Sequence, residues 1–313
     1  MDRIVVIVGP TASGKTGLSV ALAKRLGGEV ISADSMQIYR GMDVGTAKVT
    51  AAEMDGVPHH MIDVAGPEEE FSAARYVAMA DPVLRDILRR GKTAVIAGGT
   101  GLYVDSLIQG RAFAPYPATG ARQALEREAD AHGMEVMLEQ LRQVDPDSAA
   151  RLHLSDRKRI LRALEVYRET GTTITAHKLE TQAQPPKYDP VWIGLSCQDR
   201  ADLYHRIDLR VDRMLEQGLL AEIEGLLRRG VPEGCTAMQA IGYKEFLPVL
   251  RGGEDLETAV EQVKRGSRRY AKRHLTWFRR NEKIRWIMQT EPPDPEAVLR
   301  EALRQIPFFD GAL

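Results

Sequence analysis

The sequence predicts an α/β fold: a parallel sheet as the core, with a helical segment inserted part-way along. Three observations predict it. Short runs of β-branched and small apolar residues, the pattern of strands buried on both faces, alternate with helical stretches. The first such run leads straight into a glycine-rich turn and a helix, the opening unit of a parallel sheet. From about residue 112 to residue 190 the strand runs vanish and helical patterns take over, bracketed by Pro115-Tyr116-Pro117 and by Gln184-Pro185-Pro186. At 313 residues the chain is long for one core, so two domains are expected: 1–111 together with 191–313 as the sheet core with C-terminal helices, and 112–190 as the insertion.

In chain order, Ile4 to Val8 is an unbroken β-branched strand, and Leu18 to Leu26 is helical. Val30 to Ala33 forms a second strand that stops at Asp34, and Ala94 to Ala97 a third that stops at Gly98, Gly99 and Thr100. Ligands of open parallel sheets bind beyond the carboxyl ends of the strands, so the first loop, Asp34 and Thr100 should converge on one crevice. The clearest helix of the insertion follows Asp156 as N-cap, carries Ile160, Leu161, Leu164 and Tyr167 at helical spacing, and stops at Gly171. Val191 to Leu195 returns to the sheet. Helices are then expected at Tyr204 to Gln217, Leu219 to Arg229 and Leu256 to Arg280.

A composition of 43% apolar and 28% charged residues suits a globular protein able to bury a real core. Cys197 and Cys235 are far apart and lack neighbouring ligand patterns, which argues against a disulfide framework or a cysteine zinc site and fits a reducing cytoplasm. The longest apolar run near the N-terminus, Ile4 to Val8, falls far short of the roughly 18 residues of a membrane span. Net charge is −1, yet Lys264 to Lys283 holds nine Lys or Arg against one acid, leaving −9 on the rest of the chain. That segregation points to a local polyanion contact.

Gly9-Pro10-Thr11-Ala12-Ser13-Gly14-Lys15-Thr16 is a complete G-x-x-x-x-G-K-[ST] phosphate loop set between a buried strand and a helix, so the core is expected to be P-loop NTPase-like. Successive backbone N–H groups and the helix N-terminus form an anion nest, Lys15 adds a point charge, and the Thr16 hydroxyl can hold Mg²⁺. The loop recognises linked phosphates and does not distinguish a nucleoside triphosphate from an organic diphosphate. The third strand ends in glycines rather than the acid that helps hold the metal in many NTPases, which weakens ATP hydrolysis. A small-molecule kinase stays open, with the glycines giving a substrate close access to backbone.

Asp34-Ser35-Met36-Gln37 places a carboxylate, a hydroxyl and an amide at the same crevice. An aromatic amine is a poor nucleophile, and a carboxylate that takes its proton as the new bond forms is the general base such chemistry needs, while Gln reads adenine-type edges. The plainer reading of Asp34 is a strand end or helix cap.

Five blocks now resemble, in order, the tRNA dimethylallyltransferase family: Gly9 to Thr16; Asp34 to Lys48; Gly56-Val57-Pro58-His59-His60-Met61-Ile62-Asp63; Gly98 to Tyr103; and Tyr270 to Arg279. The resemblance implies a phosphate-loop core with a helical insertion, Mg²⁺ dependence, and dimethylallyl diphosphate as donor. It further implies an adenosine flipped from the tRNA anticodon stem-loop into a channel that the diphosphate enters from the other side. By resemblance Asp34 is the base, Thr11 to Thr16 the diphosphate cradle, and Thr100 with Asp34 to Gln37 the contacts to the flipped base. Arg210, with Arg206, would clamp the leaving diphosphate. The two arginines lie four residues apart on one helix face, where pairing with Asp208 and Asp212 is the plainer reading.

The same resemblance gives Arg122 and Lys158-Arg159-Ile160-Leu161-Arg162 of the insertion to the anticodon stem-loop. Gln239-Ala240-Ile241-Gly242-Tyr243-Lys244 and Lys272-Arg273-His274-Leu275-Thr276-Trp277-Phe278-Arg279 match two further RNA-facing segments. Cations interleaved with Trp277 and Phe278 suit phosphate contacts and base stacking, although the aromatics can equally pack their helix onto the core. Position 274 is His where the family usually has Gln, and position 49 is Val where Pro is common. Adjacent His59 and His60 lack convergent metal geometry and read as structural. Rival readings are a phosphate-loop kinase, a prenyltransferase of free adenine nucleotides, and a non-catalytic RNA-binding protein. A monomer is expected, since one stem-loop needs no symmetry mate.

Overall fold

A computed structural model describes residues 2–110, 120–183 and 185–308. Pro115 to Pro117 and Gln184, which bracket the expected insertion, lie outside the described residues. The chain divides into two compact units, Met1–Gly110 with Tyr188–Leu313, and Arg111–Lys187.

Numbering only helices longer than one turn or so, the first unit runs β1 (Ile4–Val8), α1 (Lys15–Leu26), β2 (Glu29–Ser32), β3 (His59–His60), α2 (Ala73–Arg89), β4 (Ala94–Gly98) and α3 (Gly101–Gln109). The second unit holds α4 (Ala121–His132), α5 (Met134–Val144), α6 (Arg157–Thr170) and α7 (Ile174–Ala183). The first unit resumes with β5 (Val191–Cys197), α8 (Arg200–Glu216), α9 (Leu219–Arg228), α10 (Leu256–Phe278), β6 (Arg285–Gln289) and α11 (Pro295–Arg304).

The sheet is parallel throughout, in the order β3-β2-β4-β1-β5-β6. β1 lies inside it, registered Ile4 to Ala94 and Val5 to Val191, and every one of its residues is fully buried. The period-2 pleat sorts them. Ile4, Val6 and Val8 face a core built with Tyr76 and Leu84 of α2 and Val104 and Leu107 of α3. Val5 and Ile7 face the opposite core, with Leu22 of α1 and Leu299 and Leu303 of α11. Each such buried Val or Ile contributes about 1.5–3 kcal/mol, which is what fixes the strand and therefore the loop that leaves it. No helix among the described residues is long and apolar enough to cross a membrane.

Helix ends differ from expectation in small ways. α1 begins three residues before Leu18, at Lys15, because Gly14 takes the left-handed conformation (φ 82°) that starts the helix directly after the loop. Gly171 closes α6 with φ 70° and an N–H to the Tyr167 carbonyl. Asp156 stands at the N-cap position of that helix but does not cap it: its carboxylate accepts the His153 N–H at 3.0 Å instead. Two strands were not expected, β3 and β6. β6 is an edge strand with exposed Arg285 and Met288, so it lacks the unbroken apolar run that marks a strand covered on both faces.

The second unit has its own core, in which Leu125, Met137, Leu141, Ile160, Leu161 and Leu164 are buried. Ile160 and Leu161 are therefore corrected. They are fully buried apolar anchors of α6 and present no surface to RNA, whereas Lys158, Arg159 and Arg162 on the same helix are exposed.

Candidate active site

The phosphate loop is held open by its glycine. Gly9 adopts φ 154°, and a Cβ there would come within 2.4 Å of the Leu195 carbonyl oxygen of β5. The Ser13 hydroxyl donates to the Pro10 carbonyl at 2.9 Å, and the Lys15 ammonium donates to the Gly9 and Pro10 carbonyls at 3.1 and 2.6 Å. Burial, then the positive charge of Arg210, lowers the Lys15 pKa to about 8 against the opposing pull of Asp34. Gln289 of β6 donates its amide N–H to the Ser13 carbonyl at 2.8 Å, so the unexpected edge strand braces the loop.

Beyond β2, the Asp34 carboxylate accepts the Met36 N–H at 2.9 Å through Oδ1. Among the described residues no helix starts directly after Asp34, so it caps a turn rather than a helix, and its surroundings exceed that role. Asp34 lines a small cavity of about 50 Å³ with Lys15, Thr16, Ser32 and Gln37, and also a second cavity of about 340 Å³ with Thr11, Arg210, Gln239, Tyr270 and Arg273. Thr100 stands beside it: its hydroxyl oxygen accepts the Ser35 N–H at 2.9 Å and its O–H donates to the Ser35 hydroxyl at 3.2 Å. The Tyr270 phenol, hydrogen-bonded to Thr100, is pushed up to about 12 by burial and then by the Asp34 charge.

Arg210 donates to the Thr46 carbonyl at 3.2 Å and faces both the Asp34 cavity and a larger cleft of about 1030 Å³ that reaches Gly14. Burial lowers its pKa, with Asp34 and Glu53 opposing. Asp208 and Asp212 do not pair with the two arginines. They hold α10 instead, through Arg268 at 2.6 Å and Lys264 at 2.7 Å. Arg206 is committed elsewhere, to Glu291 at 2.5 Å, the Thr290 carbonyl at 2.8 Å and the Gln289 side chain at 3.3 Å. It locks the segment that braces the phosphate loop, and only Arg210 of the pair touches the Asp34 cavity.

Residues 37–281 match the family described as IPP transferase. A tRNA dimethylallyltransferase of Symbiobacterium thermophilum is 49% identical over 97% of this chain and 94% of its own length. The chain belongs to the tRNA dimethylallyltransferase family. A second relative of that name, from Caldanaerobacter subterraneus subsp. tengcongensis, is 47% identical over 91% of each chain. Among solved structures, the tRNA isopentenylpyrophosphate transferase of Bacillus halodurans matches with a TM-score of 0.72 at 43% identity, over 98% of this chain and 97% of that one. A eukaryotic dimethylallyltransferase acting on tRNA matches with a TM-score of 0.82 at 29% identity, over 98% and 81%.

In this dimethylallyltransferase-family enzyme the glycines at and after the end of β4 permit close packing, and Gly98 also lines the small cavity with Lys15 and Asp34. A Cβ at Gly98 would lie 2.2 Å from the Ala33 carbonyl oxygen, one at Gly99 2.6 Å from the His274 ring, and one at Gly101 2.3 Å from the Trp277 indole. His274 is largely buried beside Tyr270, whose ring lies 4.0 Å away, and Phe278. Burial, then Lys15 and Arg273, lowers its pKa to about 3, so the ring is neutral. Phe278 belongs to the sheet core. Trp277 is 40% exposed, with its indole N–H donating to Asp105 at 2.8 Å. Tyr243 is fully buried and donates to Glu222 at 2.6 Å, while its neighbours Gln239, Ala240, Ile241, Gly242 and Lys244 line the Asp34 cavity. His274, Phe278 and Tyr243 are thus corrected from RNA contacts to packing residues.

Gln37 is also used internally. Its amide accepts from the Ser32 hydroxyl at 3.1 Å and donates to the Ala47 carbonyl at 3.3 Å, so it ties β2 to the loop at 43–48. In the second unit, Arg122 pairs with Glu126 at 2.7 Å and Arg162 with Glu165 at 3.0 Å. Both pairs are partly buried, and Arg122 also comes within 3.8 Å of Glu165, so the two arginines share that carboxylate. His60 pairs with Glu29 at 2.8 Å and His59 accepts no metal geometry; among the described residues no cluster of three His, Cys, Asp or Glu could hold an ion.

Proposed function

We propose that this enzyme transfers a dimethylallyl group from dimethylallyl diphosphate to the exocyclic amine of the adenosine 3′-adjacent to the anticodon in tRNA, releasing diphosphate. The observation that carries the reading is the position of Asp34, which lines one cavity with Lys15 and Thr16 and another with Arg210, Tyr270 and the segment from Gln239 to Lys244.

The diphosphate sits against the loop from Thr11 to Thr16, where backbone N–H groups and the start of α1 favour anions. Carbon–nitrogen bond formation at the first carbon of the allylic chain accompanies breaking of its bond to diphosphate oxygen. Lys15 and Arg210 stabilise the negative charge that develops on the leaving group, and Asp34 takes the proton from the amine. Tyr270 lines the cavity beside that carboxylate, and Thr100 holds the Ser35 turn in place by accepting the Ser35 N–H. Mg²⁺ fits this donor set: it keeps most of its waters, takes phosphate oxygens, and needs little more from protein than the Thr16 hydroxyl in the Lys15 cavity. When bound it supplies further charge neutralisation at the diphosphate.

The insertion, with Arg122, Lys158, Arg159 and Arg162, meets the anticodon stem-loop, joined by Lys272, Arg273 and Arg279 of the core. The enzyme works as a cytoplasmic monomer. Incubating it with tRNA and dimethylallyl diphosphate, then digesting to nucleosides and weighing them, tests the assignment. One adenosine per tRNA gaining a dimethylallyl mass supports it. Label transfer from ATP without a prenylated nucleoside, or prenylation of free adenine nucleotides in preference to tRNA, defeats it.

A further inference from the structure

The loop at 43–48 is a wall common to the two larger cavities: Asp43, Val44, Ala47 and Lys48 border the cleft that reaches Gly14, and Gly45 and Thr46 border the Asp34 cavity. Its shape is set from a distant helix. The Glu222 carboxylate of α9 accepts three successive backbone N–H groups, from Asp43 at 2.7 Å, Val44 at 2.8 Å and Gly45 at 3.1 Å, and the Tyr243 hydroxyl at 2.6 Å. Successive N–H groups converging in this way form an anion nest, and here the protein's own carboxylate fills it. Gly45 is needed for the fit, because a Cβ there would come within 2.4 Å of the Tyr243 ring. Among the described residues the hydrogen-bond partners of Glu222 are these neutral donors, so it is not one half of a surface ion pair.

The residue next to the nest is Thr46, whose carbonyl accepts from Arg210. From these contacts we infer that Glu222 is a positioning residue for prenyl transfer, which sets the Thr46 carbonyl and through it the guanidinium of Arg210. The inference rests on the reading of Arg210 as the clamp on the leaving diphosphate. It also accounts for a half-buried carboxylate and a fully buried tyrosine that line neither the Lys15 cavity nor the Asp34 cavity.

A double-mutant cycle separates positioning from bulk stability. Glu222→Ala is expected to lower kcat/KM for dimethylallyl diphosphate about tenfold at saturating tRNA, measured well below its melting temperature, with the tRNA Kd unchanged. Once Arg210→Ala is present, the same substitution should change kcat/KM by less than about twofold, because the group it orients is gone. Glu222→Gln keeps the volume but turns an amide NH2 towards N–H donors, so it should reproduce the kinetic loss even where the alanine variant fails to fold. Equal losses in both backgrounds, or a drop in melting temperature with wild-type kinetics, would overturn the inference. Wild-type KM and kcat in Arg210→Ala alone would instead overturn the clamp, and so distinguishes failure of the underlying reading from failure of this one.

Discussion

Lys15 holds its charge in a half-buried place, donating to the Gly9 and Pro10 carbonyls beside the cation of Arg210, and its pKa is lowered to about 8. The protonated form is the one that binds diphosphate, and it is lost as pH rises through that value. The KM for dimethylallyl diphosphate should therefore climb as pH passes about 8, checked by initial rates at saturating tRNA; a flat KM up to pH well above that point would exclude the role. His274 works in the opposite sense and on stability. Its folded pKa lies near 3 against an ordinary 6.5, so below 6.5 the unfolded chain binds the extra proton and folding stability falls as pH drops towards 3. His274→Gln should accordingly raise the melting temperature at acid pH more than at neutral pH, and an equal shift at both would refute this account. Lys15 and Asp34, which line one cavity, were legible in the sequence because Lys15 closes a complete phosphate loop at the start of α1 and Asp34 follows the end of β2. Glu222 and Gln289 were not, since their roles arise from partners far along the chain, Gln289 being 276 residues from Ser13. The inward turn of His274, Phe278 and Tyr243 was equally hidden, because a family segment names positions and not the direction their side chains take.

Among the elements, β1, β2, β4 and β5 could be read directly, since strands covered on both faces write themselves as apolar runs. β6 could not, because an edge strand with exposed Arg285 and Met288 carries a mixed pattern. That strand nevertheless delivers Gln289 to the phosphate loop, and the Arg206 contacts fasten the residues that follow it. α6 shows the complementary case: Ile160 and Leu161 build the core of its unit, leaving Lys158, Arg159 and Arg162 outside. Replacing Lys158 and Arg162 together with alanine should weaken tRNA binding and flatten the salt dependence of log Kd by roughly one to two in slope. Turnover at saturating tRNA should survive. A slope unchanged between the two proteins, in titrations over a range of salt, would remove α6 from the interface.

At the scale of the whole molecule, the sheet collects its chemistry at one end. The phosphate loop leaves β1, Asp34 follows β2, Thr100 follows β4, and Gln289 ends β6, so four strands supply the site and its brace. α8 and α10 then add Arg210 and Tyr270 to the Asp34 cavity. Among the described residues Asp34 is the carboxylate that faces both the loop proposed to take diphosphate and the segment proposed to take the base. The central claim is that this carboxylate removes the amine proton, and a single-turnover rate of Asp34→Asn with both substrates saturating tests it most directly. The account predicts near-normal binding of tRNA and dimethylallyl diphosphate with a chemical step slowed about a hundredfold or more. A wild-type single-turnover rate in that variant would contradict it.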